Sequence, residues 1–160
     1  MHLFEECHVG QIERFGHYEV SRAEIVAFAE MYDPQPFHLS DEGAQANPIF
    51  RGISASGWHT AAMAMRMLVD EMKARKRFSL GSPGLDDLQW RVPVYPGDVL
   101  SLEMEVLEKS ESRTKPHIGF IKYRKTAINQ DGESVMSFRS TIIVPRQPAD
   151  AGAAGEPQAS

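Results

Sequence analysis

The chain has 160 residues, of which 42% are hydrophobic and 24% charged, and its formal net charge is -5. That length suits one domain with a proper core, and the negative balance argues against nucleic acid as the main partner. Its one cysteine, Cys7, excludes an internal disulfide framework and a cysteine-rich metal site. No basic N-terminal region precedes an apolar run, and no stretch approaches the roughly 18 apolar residues of a membrane helix, so a cytoplasmic protein with no membrane partner is expected.

Residues 1–10 carry little signal. Gln11 to Val20 reads as a strand with poor alternation, its apolar positions being Ile12, Phe15, Tyr18 and Val20. Ser21-Arg22-Ala23-Glu24 is a capping box, in which the serine accepts from the Glu24 N–H. Ile25, Phe28, Ala29 and Tyr32 then give one helical face. Pro34 disfavours helical backbone at Asp33, so the helix ends there. Asp41 to Ala46 fits one short helical turn, broken by Asn47-Pro48. The main helix spans about Ser56 to Arg75, with Ser56 or Ser54 as N-cap and Ala61, Ala62, Met65, Leu68, Val69 and Met72 as its apolar face. Gly81, Pro83 and Gly84 close the helical region.

Beyond it the period changes from 3.6 to 2. Leu88, Trp90, Val92 and Val94 alternate with polar positions, and Pro96-Gly97-Asp98 signals a turn. Leu100, Leu102, Met104 and Val106 alternate cleanly; Ile118 to Ile128 is a third strand; Asp131-Gly132 is a two-residue hairpin signal. Met136, Phe138, Ser140, Ile142 and Val144 make a fourth. Strands joined by tight turns are antiparallel, and the long helix must bury its face on them, which gives an α+β layer. Residues 1–145 read as one domain and 146–160 as a disordered tail rich in Ala, Gly, Pro, Gln and Ser.

The chemistry concentrates in Asp33-Pro34-Gln35-Pro36-Phe37-His38 and in Ser56-Gly57-Trp58 at the start of the main helix. A carboxylate, an imidazole and a helix N-terminus are the parts needed for proton transfer beside a developing oxyanion. By spacing alone an Asp-x4-His pair is a weak signal, equally suited to a turn cap and an ordinary histidine. His59 suits a structural role, and Asp98 suits turn chemistry. His2, His8, His17 and His117 show no metal-ligand spacing, so no metal is expected. Lys73, Arg75, Lys76 and Arg77 suit either coenzyme A phosphates or the negative end of the helix dipole.

Asp33-Pro34-Gln35-Pro36-Phe37-His38 followed by Ser56-Gly57 resembles the MaoC-like dehydratases, which include the (R)-specific enoyl-CoA hydratases of the hotdog superfamily. Their motif is Asp-x-Asn-Pro-x-His, then a residue paired with Gly at the head of the central helix. Asp33, Pro36 and His38 match; Gln35 stands for the Asn, and Ser56 for a more usual His or Gln. Gly81-Ser82-Pro83-Gly84 and Pro93-Val94-Tyr95-Pro96-Gly97-Asp98 resemble the family's strand and turn after the helix.

The resemblance implies a hotdog fold, an antiparallel sheet wrapped around a long central helix. It also implies reversible hydration of a trans-2-enoyl thioester to a 3-hydroxyacyl thioester. Asp33 and His38 would hold and deprotonate water, and Gly57 N–H would stabilise the oxyanion. Ser56, Trp58, Phe37 and Phe50 would contact the substrate, an acyl-CoA or acyl-carrier thioester, with no other cofactor. An exposed sheet edge and the resemblance together imply a homodimer or higher homo-oligomer. A hotdog thioesterase and a non-catalytic acyl-thioester binder are the alternatives, and the Gln35 and Ser56 departures leave room for the latter.

Overall fold

The cleanest alternation in the sequence forms the longest strand, and the sheet is built outward from it. A computed structural model describes residues 3–147 of the chain. The elements run α1 (Leu3–Glu6), β1 (Ile12–Glu19), α2 (Arg22–Tyr32), α3 (Pro36–Leu39), α4 (Asp41–Gln45), α5 (Gly57–Ala74), β2 (Leu85–Trp90), β3 (Val99–Glu111), β4 (Ile118–Ile128) and β5 (Ser134–Pro145). The five strands form one antiparallel sheet in the order β1-β3-β4-β5-β2. Of the expected tail, residues 148–160 lie outside the described residues, while Arg146 N–H donates to His117 O and Gln147 N–H to Glu5 Oε1, both at 2.9 Å.

Leu100, Leu102, Met104 and Val106 of β3 turn inward, as do Met136, Phe138, Ser140, Ile142 and Val144 of β5. They meet α5, which lies across the concave face against β1 and β3. The poor alternation of β1 has a local cause: Gly16 takes φ +86° and the ladder with β3 slips between Phe15 and Tyr18. A bulge of this kind flips the side-chain period. At the β4–β5 hairpin, Gly132 takes φ +79°, but the connection is longer than the two residues expected. The Asn129 side chain bridges it by accepting from the N–H groups of Asp131 and Glu133.

Three expectations are corrected. The buried face of α5 is His59, Thr60, Met63, Ala64, Met67 and Leu68, while Ala62, Met65 and Val69 are exposed. Alanine and methionine occur nearly all round this helix, so two apolar stripes fit the 3.6 period and only tertiary contact selects between them. The strand expected over Leu88–Val94 is β2, which starts at Leu85 and ends at Trp90; Val92 and Val94 belong to the loop that crosses the head of α5, where Val94 O accepts from Ala55 N at 2.8 Å. The featureless N-terminus contains α1, whose Leu3 and Phe4 are buried.

Candidate active site

The site is assembled where α2 stops and α5 starts. Ser21 caps α2 as expected, accepting from Glu24 N at 3.2 Å. Asp33 ends it, donating its own N–H to Ala29 O at 2.9 Å and leaving the helical region at φ -151°. Pro34 forces that exit, and Pro36 at the first turn of α3 suits a helix start. The loop therefore reverses within a few residues and brings His38, on α3, back towards Asp33.

The segment before α5 is pinned to this loop from both sides. Ile53 N donates to Asp41 Oδ1 at 2.9 Å and Ser54 N to Phe37 O at 3.1 Å. His38 Nδ1 lies 2.7 Å from Ser54 O. A carbonyl only accepts, so Nδ1 carries the proton and neutral His38 presents a bare Nε2. That nitrogen stands 3.4 Å from Asp33 Oδ2.

The other contacts of Asp33 complete the cluster. Ser56 Oγ donates to Oδ2 at 2.6 Å, and Gln35 Nε2 donates to Oδ1 at 2.9 Å. The longer amide of Gln35 thus reaches the carboxylate. Burial alone would push the Asp33 carboxyl up, but the Ser56 and Gln35 hydrogen bonds and the nearby His38 outweigh it and hold the group below its ordinary value. Ser56 also accepts from Trp58 N at 3.3 Å, so it is the N-cap of α5. One hydroxyl joins the helix start to the acid.

A cavity of about 510 Å³ opens over this cluster. Asp33, Gln35, His38, Gly57 and Trp58 border it, and Phe50 forms part of its wall. Phe37 and Ser56, expected to contact substrate, do not border it. Phe37 packs edge-on against His38 at 4.5 Å and stacks with Phe50 at 4.9 Å, and Ser56 is fully buried beneath the carboxylate. Gly57 is the first residue of α5, so its N–H has no intrahelical acceptor and sits at the positive end of the dipole. The indole of Trp90 lies directly on its Cα, where any side chain would collide. Trp90 also meets Trp58 edge-on at 5.1 Å.

Sequence reasoning missed the opposite wall, formed by Trp90, Arg91, Val92, Pro93 and Val94. Its signal was present in Pro93-Val94-Tyr95-Pro96-Gly97-Asp98, read above as part of a strand and turn and not as a cavity wall. Asp98 does perform turn chemistry, accepting from Tyr95 N at 2.8 Å and from Gln130 Nε2 at 3.0 Å. His59 stacks on Phe28 at 4.8 Å, away from the cavity wall. Burial holds its imidazole below the ordinary value, partly offset by Glu24. The basic cluster lies at the other end of α5, where Arg77 pairs with Glu13 at 3.0 Å and Glu6 at 3.3 Å, and Arg75 with Glu71 and Glu13. Both arginines are thus paired with carboxylates at the C-terminal end of α5. Among the described residues no three His, Cys, Asp or Glu side chains group as a metal site, and no helix is long and apolar enough to cross a membrane.

A five-stranded antiparallel sheet wrapped on one long helix, with an acid, an imidazole and the helix N-terminus at one cavity, places the molecule in the hotdog class. The MaoC-like domain model matches residues 8–127, and the chain belongs to that family. A MaoC-like dehydratase from Rhodospirillum rubrum is 36% identical and superposes with a TM-score of 0.80 over 92% of this chain and 99% of that one. The uncharacterized protein YdeM of Bacillus subtilis is 28% identical over 142 residues, 89% of this chain and 98% of YdeM. A 3-hydroxybutyryl-CoA dehydratase of Methylorubrum extorquens is 28% identical over 134 residues, 83% of this chain and 82% of that enzyme.

Proposed function

We propose that the protein is an acyl-thioester hydro-lyase that adds water reversibly to a trans-2-enoyl-CoA, giving a 3-hydroxyacyl-CoA. The observation that carries this reading is the pairing of Asp33 Oδ2 with His38 Nε2 at 3.4 Å on the wall of one cavity. With Nδ1–H committed to Ser54 O, both facing atoms are acceptors when the imidazole is neutral. Two acceptors at that spacing suit a molecule with two hydrogens to give. In the proposed reaction they hold one water, leaving its oxygen free to attack C3.

As the O–C3 bond forms, Asp33 takes one proton and the C2–C3 π pair moves towards C2. The thioester oxygen gains enolate charge, which the Gly57 N–H and the α5 dipole stabilise. His38 Nε2 orients the water through its second hydrogen, which stays on the new C3 hydroxyl, and the proton taken by Asp33 passes to C2 by way of the adjacent Nε2, so H and OH are both added. Ser56 and Gln35 position the carboxylate and keep it ionised. Trp58, Phe50 and the Trp90–Val94 wall hold the acyl group. The likeness to the R. rubrum and M. extorquens dehydratases supports this chemistry.

The outer edge of β2 pairs with no strand among the described residues, and it carries the exposed Leu85 and Trp90. A second copy there would cover an edge that otherwise invites aggregation and would border the cavity at Trp90. The proposed assembly is therefore a homodimer, tested by light scattering during gel filtration.

Incubation with crotonyl-CoA and, separately, with 3-hydroxybutyryl-CoA tests the reaction. The expected result is approach to one equilibrium mixture from both sides with no free thiol. Thiol release would make the protein a thioesterase, and no change in either arm, or with a longer enoyl-CoA, would make it a binder.

A further inference from the structure

Two hydrogen-bond donors at the head of α5 are unused. Gly57 N–H finds no acceptor among the described residues, and the indole N–H of Trp90 finds none either. Both residues border the Asp33–His38 cavity. Trp90 is the last residue of β2, and its indole turns from the strand onto the first turn of α5. A second copy on the outer edge of β2 would leave it in place. The other donors close by are committed: Ser56 Oγ and Gln35 Nε2 to Asp33, and Arg91 Nε to Ser137 Oγ.

The indole nitrogen is among the ring atoms nearest the helix start. A Cβ built on Gly57 would stand 2.8 Å from Trp90 Nε1. A Cβ lies about 2.5 Å from the nitrogen of its own residue, so Nε1 is within about 5.3 Å of Gly57 N. Two donors that each stand about 2.7–3.1 Å from a shared oxygen can be up to about 6 Å apart, so one oxygen can accept from both. An indole N–H only donates. It suits an oxygen that gains charge without gaining a proton.

We propose that Trp90 Nε1–H is the second donor of the oxyanion site and shares the thioester oxygen with Gly57 N–H. The inference rests on the hydration reading above. As the water oxygen bonds to C3 and the π pair moves towards C2, the thioester oxygen gains enolate charge and the indole keeps its proton. Packing against Gly57 would be served as well by a phenyl ring, so the N–H is what a test must isolate.

Trp90→Phe keeps an aromatic ring on Gly57 and removes the donor. With crotonyl-CoA, kcat and kcat/KM should both fall about 10²-fold, the mark of an interaction made in the transition state, at an unchanged melting temperature. Acetoacetyl-CoA gives a reading free of turnover. Its C2 proton is acidic, its enolate absorbs in the near ultraviolet, and an oxyanion site lowers the pH at which the bound ligand ionises. In Trp90→Phe that ionisation should move up by about two pH units, the same hundredfold. Near wild-type kcat, or a lower kcat with the ionisation unmoved, would overturn the proposal. A wild type that turns over no enoyl-CoA, yet ionises acetoacetyl-CoA in a Trp90-dependent way, would count against the hydratase reading and for the donor pair. Where Trp90→Phe does not fold, the wild-type indole N–H resonances answer: the chain has two tryptophans, and on adding acetoacetyl-CoA the Trp90 signal should move downfield, with Trp58→Phe supplying the assignment. An unmoved Trp90 signal would overturn the proposal.

Discussion

Ser56 Oγ donates to Asp33 Oδ2 at 2.6 Å while accepting the N–H of Trp58 at 3.3 Å. A helix cap and a candidate general base therefore share one hydroxyl, and the start of α5 and the charge state of Asp33 are coupled.

Ser56→Ala should act on both. Loss of the cap should cost about 1 kcal/mol of stability, read from urea unfolding. Loss of the hydrogen bond should let the Asp33 carboxyl rise, since burial already pushes it up. The acid limb of the kcat/KM profile should then move to higher pH. An unmoved limb would separate Ser56 from the acid.

The same depression ties Asp33 to stability. Its folded value lies below the ordinary 3.8, so its contribution is fully present above about that pH and is lost as pH falls through the folded value. In Asp33→Asn the unfolding free energy should vary less with pH across this acid window than in the wild type.

His59 gives a second pH effect, in a different range. Burial depresses its imidazole below 6.5, so the folded state binds the proton less readily than the unfolded chain. Stability is full above about 6.5 and falls as pH drops towards the folded value. His59→Phe, which keeps a ring against Phe28, should flatten the stability profile between pH 7.5 and 5.5. An unchanged slope would place the titration elsewhere.

Much of this was legible because it is local. The capping box at Ser21, the helix stop at Asp33 before Pro34, the period-2 run of β3 and the Asp33–His38 pair each depend on residues a few positions apart. What was not legible depends on residues far apart in sequence. Gly57 was singled out for its N–H; the structure gives the position a separate reason to be glycine, the indole of Trp90, 33 positions later. Phe37 and Ser56 support the cavity from behind because the chain around His38 and Ser54 folds back on itself, which spacing does not encode. The buried stripe of α5 was misassigned because that helix offers the sheet two nearly equivalent faces.

Gly57→Ala tests the first of these. Overpacking against Trp90 should cost about 1–3 kcal/mol, and Trp90→Leu should recover much of the loss in the double variant, a coupling readable from a double-mutant cycle. Additive costs would show that the indole is not what restricts this position.

The central claim is that Asp33 and His38 together move the protons of one water. Its most direct test is the initial rate of crotonyl-CoA absorbance loss for wild type, Asp33→Asn and His38→Gln, with folding checked by melting temperature. The account predicts turnover by the wild type and a fall of about 10²–10⁴ in kcat for each variant. Near wild-type kcat in either folded variant would contradict it.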